Sequence, residues 1–201
     1  MSEPIDSAWL DTHEWGLRSE RPDRTAYEGF RWKRLGAWTR CEEWRDDDRC
    51  GGGLHYEAPE CHGSGMMHAV PVLVETRGPR RRVGEGGGGK MKSPEARVVA
   101  RGADIPDEAF ERCGYRVVRA GSATVQSGGR CYAYGTASVT VQAGGRCYAY
   151  GTASVTVQDG GRCDAYGTAS VTVQAGGWCD AFGTATVVEF EEREEEGESD
   201  E

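Results

Sequence analysis

From Ser138 the chain alternates strictly between polar and apolar positions. Ser138, Thr140 and Gln142 take one side, and Val139 and Val141 take the other. A period of two is the signature of a strand with one buried face. A glycine turn, AGG, follows. A second alternation, RCYAY, then sets Cys147 and Ala149 against Arg146, Tyr148 and Tyr150. The whole pattern recurs: GTASVTVQAGGRCYAYGT from Gly135, GTASVTVQDGGRCDAYGT from Gly151 and GTASVTVQAGGWCDAFGT from Gly167, with equivalent residues offset by 16. An eroded copy, with Ala123 in place of valine, occupies 121–136, and a half-copy at 185–190 ends the series.

Two strands of about six residues and two tight turns account for one lap. Stacked about 4.8 Å apart, such laps make a flattened parallel β-solenoid, in which no lap is stable without its neighbours. The inner face is the invariant one. Cys recurs at 131, 147, 163 and 179, whereas the outer Tyr148 becomes Asp164 and Asp180, and a buried Asp needs a charged partner. Val139, Val155 and Val171 are therefore expected on one inner wall, with Cys131, Cys147, Cys163 and Cys179 on the opposite one. Buried Cys behaves as a small hydrophobe, so this column reads as filler.

Ahead of the repeats the pattern is different. Five of the six Trp precede residue 45. AVPVLVET and ARVVARG read as strands, rich in Val and bounded by Gly or Pro. ADIPDEAFERCG reads as a short helix with Asp104 as N-cap, Pro106 in its first turn and Gly114 as its stop. The fold class expected is mainly β: a small α+β domain over 1–95, a parallel β-solenoid of 16-residue laps over 96–190, and an acidic disordered tail over 191–201. The first domain would cap one end of the stack, and the tail would oppose growth at the other.

Composition refines this. Of 201 residues, 37% are hydrophobic and 30 are Gly, so the core is built from small side chains. The net charge of −9 is localised: 189–201 holds nine acids and one Arg, while 77–101 holds eight Lys or Arg against two Glu. A block of like charge reads as solvated. The N-terminal stretch MSEPIDSAWLDTHEW is polar and acidic, and nothing approaches 18 apolar residues, so a secretory signal and a membrane span are not expected. The eight Cys then read as reduced thiols or metal ligands in a cytoplasmic protein.

The laps present two regular outer surfaces. One repeats Ser, Thr and Gln at 138, 140 and 142, at 154, 156 and 158, and at 170, 172 and 174. Its hydroxyl spacing of about 4.8 by 7 Å resembles the ice-binding faces of insect and microbial antifreeze solenoids, although those carry Thr in both columns. The other surface, Arg130, Tyr132, Tyr134, Arg146, Tyr148, Tyr150, Arg162, Tyr166, Trp178 and Phe182, is the candidate binding face. Tyr and Arg are favoured at protein interfaces and stack on sugars or bases. The partner expected is a protein, glycan or nucleic acid, with no membrane, and the solenoid faces offer a route to a homo-oligomer. A stacked Tyr ladder can also do no more than stabilise its sheet.

Three features before the repeats bear on chemistry. GEGGGGKM, from Gly84, satisfies G-x-x-x-x-G-K but supplies Met91 where a P-loop needs Ser or Thr, and Pro94 stands where its helix should run. It reads as a loop without nucleotide. Cys41, Cys50, His55, Cys61 and His62 could ligate zinc, although their spacing matches no standard finger. Separate buried Cys and surface His are the alternative. No Ser-His-Asp or Cys-His arrangement has supporting context. An enzymatic reading would place His55, Tyr56 and Glu57 in a small group-transfer pocket.

The elements C-x8-CGGGLH, AVPVLVET and GKMKSPEARVVARG together resemble a domain without assigned activity in proteins of actinobacteria and their phages. The likeness covers about 38–102 and rests on Cys41, on 50–55, and on Gly89, Lys90, Lys92 and Pro94. Met66, Met67 and His68 stand where the family has a Trp before its strand. The resemblance implies a lineage, with virion association if phage-encoded, and no mechanism. The function expected from the whole sequence is a non-enzymatic binding or scaffold protein.

Overall fold

The computed structural model describes residues 4–21, 23–25, 30–61, 70–84 and 89–190. They form two compact units, Met1–Arg116 and Val117–Glu201.

In the first unit, helix α1 (Ser7–Thr12) starts at Asp6, whose Oδ1 accepts a hydrogen bond from the Trp9 amide at 2.9 Å. Strands β1 (Trp15–Glu20), β2 (Thr39–Arg40), β3 (Leu54–Tyr56), β4 (Val70–Arg77), β5 (Arg81–Arg82), β6 (Met91–Ser93) and β7 (Glu95–Arg101) follow. They build two antiparallel sheets, ordered β1-β4-β7-β2 and β3-β6-β5. The two valine-rich segments are thus the central strands of the larger sheet. In β7 the period-two pattern buries Ala96, Val98 and Ala100. Ala96 and Val98 pack in a core that includes Trp32, Leu54, Tyr56, Val72 and Val74.

Because β7 completes this sheet, the first unit runs on past residue 95 and includes helix α2 (Asp107–Arg112). Its N-cap is Pro106. Asp104 lies in a preceding 3-10 turn, Gly102–Asp104, and does not cap the helix. Asp107 and Glu108 instead place negative charge in the first turn, where the helix dipole favours it. The stop is the glycine expected: Gly114 has φ 82°, and the Tyr115 amide reaches back to the Phe110 carbonyl at 3.0 Å.

The second unit is a parallel β-solenoid of about five turns with a 16-residue period. Its strands are β8 (Arg116–Val118), β9 (Ser122–Val125), β10 (Arg130–Ala133), β11 (Ser138–Val141), β12 (Arg146–Ala149), β13 (Ser154–Val157), β14 (Arg162–Gly167), β15 (Ser170–Val173), β16 (Trp178–Gly183) and β17 (Thr186–Glu189). Even-numbered strands form one sheet and odd-numbered strands the other. Cys131, Cys147, Cys163 and Cys179 pair in register across one wall, and Val139, Val155 and Val171 across the other. The first three Cys are fully buried and Cys179, in the last lap, is half-buried. Hydrogen bonds with the Cys131 and Cys163 thiols, together with burial, hold the Cys147 thiol well above its ordinary pKa. In that state it packs as an apolar group.

Each corner is fixed by a ladder of its own. At the AGG corner the amides of Gly128, Gly144 and Gly160 donate to the carbonyls of Gly144, Gly160 and Gly176 at 3.0, 3.0 and 2.9 Å. A Cβ on Gly145 would stand 2.7 Å from the Val125 carbonyl oxygen, so only glycine lets neighbouring backbones close there. At the GT corner the hydroxyls of Thr152, Thr168 and Thr184 donate to Gly135, Gly151 and Gly167 carbonyls one lap back, each at 2.8 Å. Those threonines therefore belong to the repeat's architecture.

Candidate binding surface

Parallel in-register pairing turns each outer residue of the even-numbered sheet into a column. Tyr134, Tyr150, Tyr166 and Phe182 stack with ring centroids 5.1, 5.0 and 4.9 Å apart. Tyr132 and Tyr148 stack at 5.0 Å, and Asp164 and Asp180 continue that column. Arg130, Arg146, Arg162 and Trp178 form the third.

The face is outside the Val and Cys core, as its pattern requires, but most of it is not solvent-exposed. Tyr132, Tyr134, Tyr148, Tyr166 and Asp164 are buried, and Tyr150 is half-buried. This corrects the expectation that both outer surfaces of the laps are open to solvent. Part of the physical reason is the column itself, because stacking at 5 Å covers the ring faces from both sides. Burial then pushes the Tyr150 and Tyr166 phenols above their ordinary pKa. Asp164 has the charged partner its burial demands, since the Arg146 guanidinium donates to its Oδ2 at 2.9 Å.

The exposed part is the last lap. Trp178 and Phe182 are 48% and 44% exposed, and Arg162 is exposed beside them. The Arg162 guanidinium lies 6.0 Å from the Trp178 ring centroid, within cation–π range. A cleft of about 430 Å³ opens there, lined by Gly160, Gly161, Arg162, Gly176 and Trp178. Asp180, half-buried between the two aromatics, makes no ion pair among the described residues. The sequence flagged Trp178 and Phe182 as members of a ladder. The signal for their exposure is positional, since the half-copy at 185–190 ends the series just after them.

The opposite sheet keeps its polar surface. Ser138, Ser154 and Ser170 are exposed and Thr140, Thr156 and Thr172 half-buried, all paired in register. Val188 takes the Thr position in β17.

In the first unit, His55, Tyr56 and Glu57 do not converge. Tyr56 and Glu57 are fully buried, whereas His55 turns to the other side of β3 and is half-buried. The Tyr56 hydroxyl accepts a hydrogen bond from Arg80 Nε at 3.0 Å. Glu57 Oε2 accepts one from the Tyr115 hydroxyl at 2.9 Å. Both side chains are tied into the core, and the cleft lined by Leu10, His13, Glu14, Trp15, Pro59, Glu60, Arg80 and Arg112 includes none of the three.

Of the proposed metal ligands, Cys41 and Cys61 are half-buried against the hydrophobic core, Cys50 is exposed, and His62 lies outside the described residues. Among the described residues no three His, Cys, Asp or Glu side chains form a metal-holding group. Residues 85–88 of the glycine run likewise lie outside the described residues.

The stretches around Cys41, 50–55 and 89–94 meet. His55 pairs with Lys92 across β3 and β6, the Cys41 amide donates to the Pro94 carbonyl, and Lys90 Nζ lies 3.1 Å from Cys50 Sγ. At the centre is Lys92, with no exposed surface, donating to Asp47 Oδ1 at 2.6 Å and to the Arg49 and Gly51 carbonyls at 2.9 and 3.2 Å. A lysine thus fastens the loop that carries Asp47, Arg49 and Gly51.

Burial and the nearby charges of Lys90, Arg18 and Lys92 push His55 down to about 4. The unfolded chain takes this proton near pH 6.5, so folding stability should decline as pH falls from about 6.5 to 4. NMR should show His55 titrating near 4. Titration at its ordinary value would contradict this environment.

Comparison with protein-family models, curated proteins and solved structures gives no match for this chain. Among the described residues no helix is long and apolar enough to cross a membrane.

Proposed function

We propose that this chain is a non-enzymatic binding or scaffold protein that recognises a partner through the last lap of its solenoid. The observation that carries this reading is the exposure of Trp178 and Phe182 beside Arg162, at the end of columns that are otherwise mostly covered. Trp, Tyr and Arg dominate the energetics of protein interfaces. They are held here on a rigid strand, so ordering them on binding costs little entropy. The packing of Tyr56 and Glu57 into the core argues in the same direction. The lineage proposed on 50–55, Lys90, Lys92 and Pro94 adds no activity to this reading.

Affinity capture from the native host tests the reading, using wild type, a Trp178→Ser/Phe182→Ser variant and a Thr140→Lys/Thr156→Lys/Thr172→Lys variant. The partner should be retained by wild type and by the threonine variant and lost from the aromatic one. Retention by the aromatic variant would sink it.

The in-register hydroxyl array of the odd-numbered sheet favours a second reading, ice binding through Thr140, Thr156 and Thr172. That reading requires thermal hysteresis that disappears in the threonine variant.

A further inference from the structure

The solenoid ends on two free strand edges, and the chain treats them differently. β17 is bonded to β15 and β16 to β14, and neither has a strand on its other side among the described residues. A free edge invites pairing unless charge blunts it. At β17 such charge is present. Glu189 stands in the inward column of Val173, and 191–201 follows with eight acids and one Arg.

At β16 the outward residues are Trp178, Asp180 and Phe182, two exposed aromatics around one acid. Its inward Cys179 is half-buried and its Ala181 exposed, while Cys163 and Ala165 one lap earlier are fully buried. The core wall is therefore open on this side.

Two occupants from the chain itself fit poorly. Residues 191–201 contain no apolar side chain to cover the aromatics or the open wall. A second copy laid antiparallel on this edge and centred on Asp180 would set the two Asp180 carboxylates opposite each other, and like charges directly opposite are destabilising.

Resting on the binding role proposed above, we infer that the β16 edge accepts a basic, extended segment of a partner protein as an added strand. Main-chain hydrogen bonds would supply affinity, and alternate side chains specificity. The columns dictate the segment's pattern. A Lys or Arg stands opposite Asp180, with aromatic or Arg side chains two residues to either side to continue the Phe182 and Trp178 stacks. Small apolar residues lie between them, over Cys179 and Ala181.

The test uses the full chain and two labelled peptides, Lys-Tyr-Ala-Lys-Ala-Tyr-Lys and the same sequence with Glu at its centre, followed by fluorescence anisotropy. The Lys-centred peptide should bind at least about tenfold more tightly. Asp180→Lys should reverse the order and Asp180→Asn should abolish the preference, with circular dichroism unchanged in both. Amide hydrogen exchange within 178–183 should slow when the peptide binds. Equal binding of the two peptides, a preference that survives Asp180→Lys, or protection appearing only elsewhere would each overturn the inference. So would dimerisation of the free chain that Asp180→Lys abolishes, because the occupant would then be a second copy. If the host partner depends on Trp178 and Phe182 but the Lys-centred peptide does not displace it, the inference fails and the binding role stands. If the partner ignores those residues, the binding role fails as well.

Discussion

Replacing Val155 with aspartate is expected to unfold the solenoid, with a loss of at least about 4 kcal/mol. Val155 is 2% exposed in the middle lap and packs in the cluster of Val, Cys and Ala side chains with Val139 and Val171. A carboxylate there is an unpaired buried charge. The cost spreads, because each lap is stable only on its neighbours. Ser154→Asp places the same side chain one residue earlier on the exposed face, where a surface change shifts stability by about 0.5 kcal/mol. Urea titration followed by circular dichroism checks the pair. Similar losses from both would mean that the inward and outward faces are assigned wrongly.

The second large effect belongs to the first unit. Lys92→Met should cost about 3 kcal/mol, since it removes a charged donor that satisfies Asp47 and two backbone carbonyls and leaves those carbonyls without that donor. Methionine fills most of the volume, so the loss reports the hydrogen bonds rather than a cavity. Lys92 also holds the Asp47 carboxyl below the ordinary carboxylate range. The contribution from Asp47 is therefore complete above its unfolded pKa of about 3.9 and disappears as pH falls through its lower folded value. In Lys92→Met that acid sensitivity should shrink. Unchanged stability in thermal melts of the variant would show that the loop stands without its lysine.

The repeat was legible because its code is redundant. Alternation assigned faces, the invariant Cys and Val positions picked the inside, and glycines at fixed offsets marked the corners. All three signals pointed to the same lap. Asp164 points outward, as the alternation requires, yet is buried, because the pairing with Arg146 that makes its burial tolerable is a diagonal contact between laps. The first unit carries no repeat to average over. Its sheet order joins segments far apart in the chain, as β1-β4-β7-β2 does, and local pattern contains no record of such pairings. Lys92 shows the same limit, because a lysine in a polar stretch looks solvated until three acceptors are seen around its ammonium. The N-cap of α2 was misplaced for a local reason, as Asp104 was absorbed into a 3-10 turn just before Pro106.

The candidate binding surface was legible only as a stripe. Trp178 and Phe182 stand open in the last full lap, while Tyr132 and Tyr148 have no exposed surface, and the alternation alone does not distinguish them. The central claim is that recognition occurs at this last lap. Amide chemical-shift mapping of the isotope-labelled protein, with its captured partner added, tests it most directly. The account predicts shifts concentrated at 160–162 and 176–183, with the Ser, Thr and Gln columns unmoved. Shifts confined to those columns, or to 41–61 in the first unit, would contradict it.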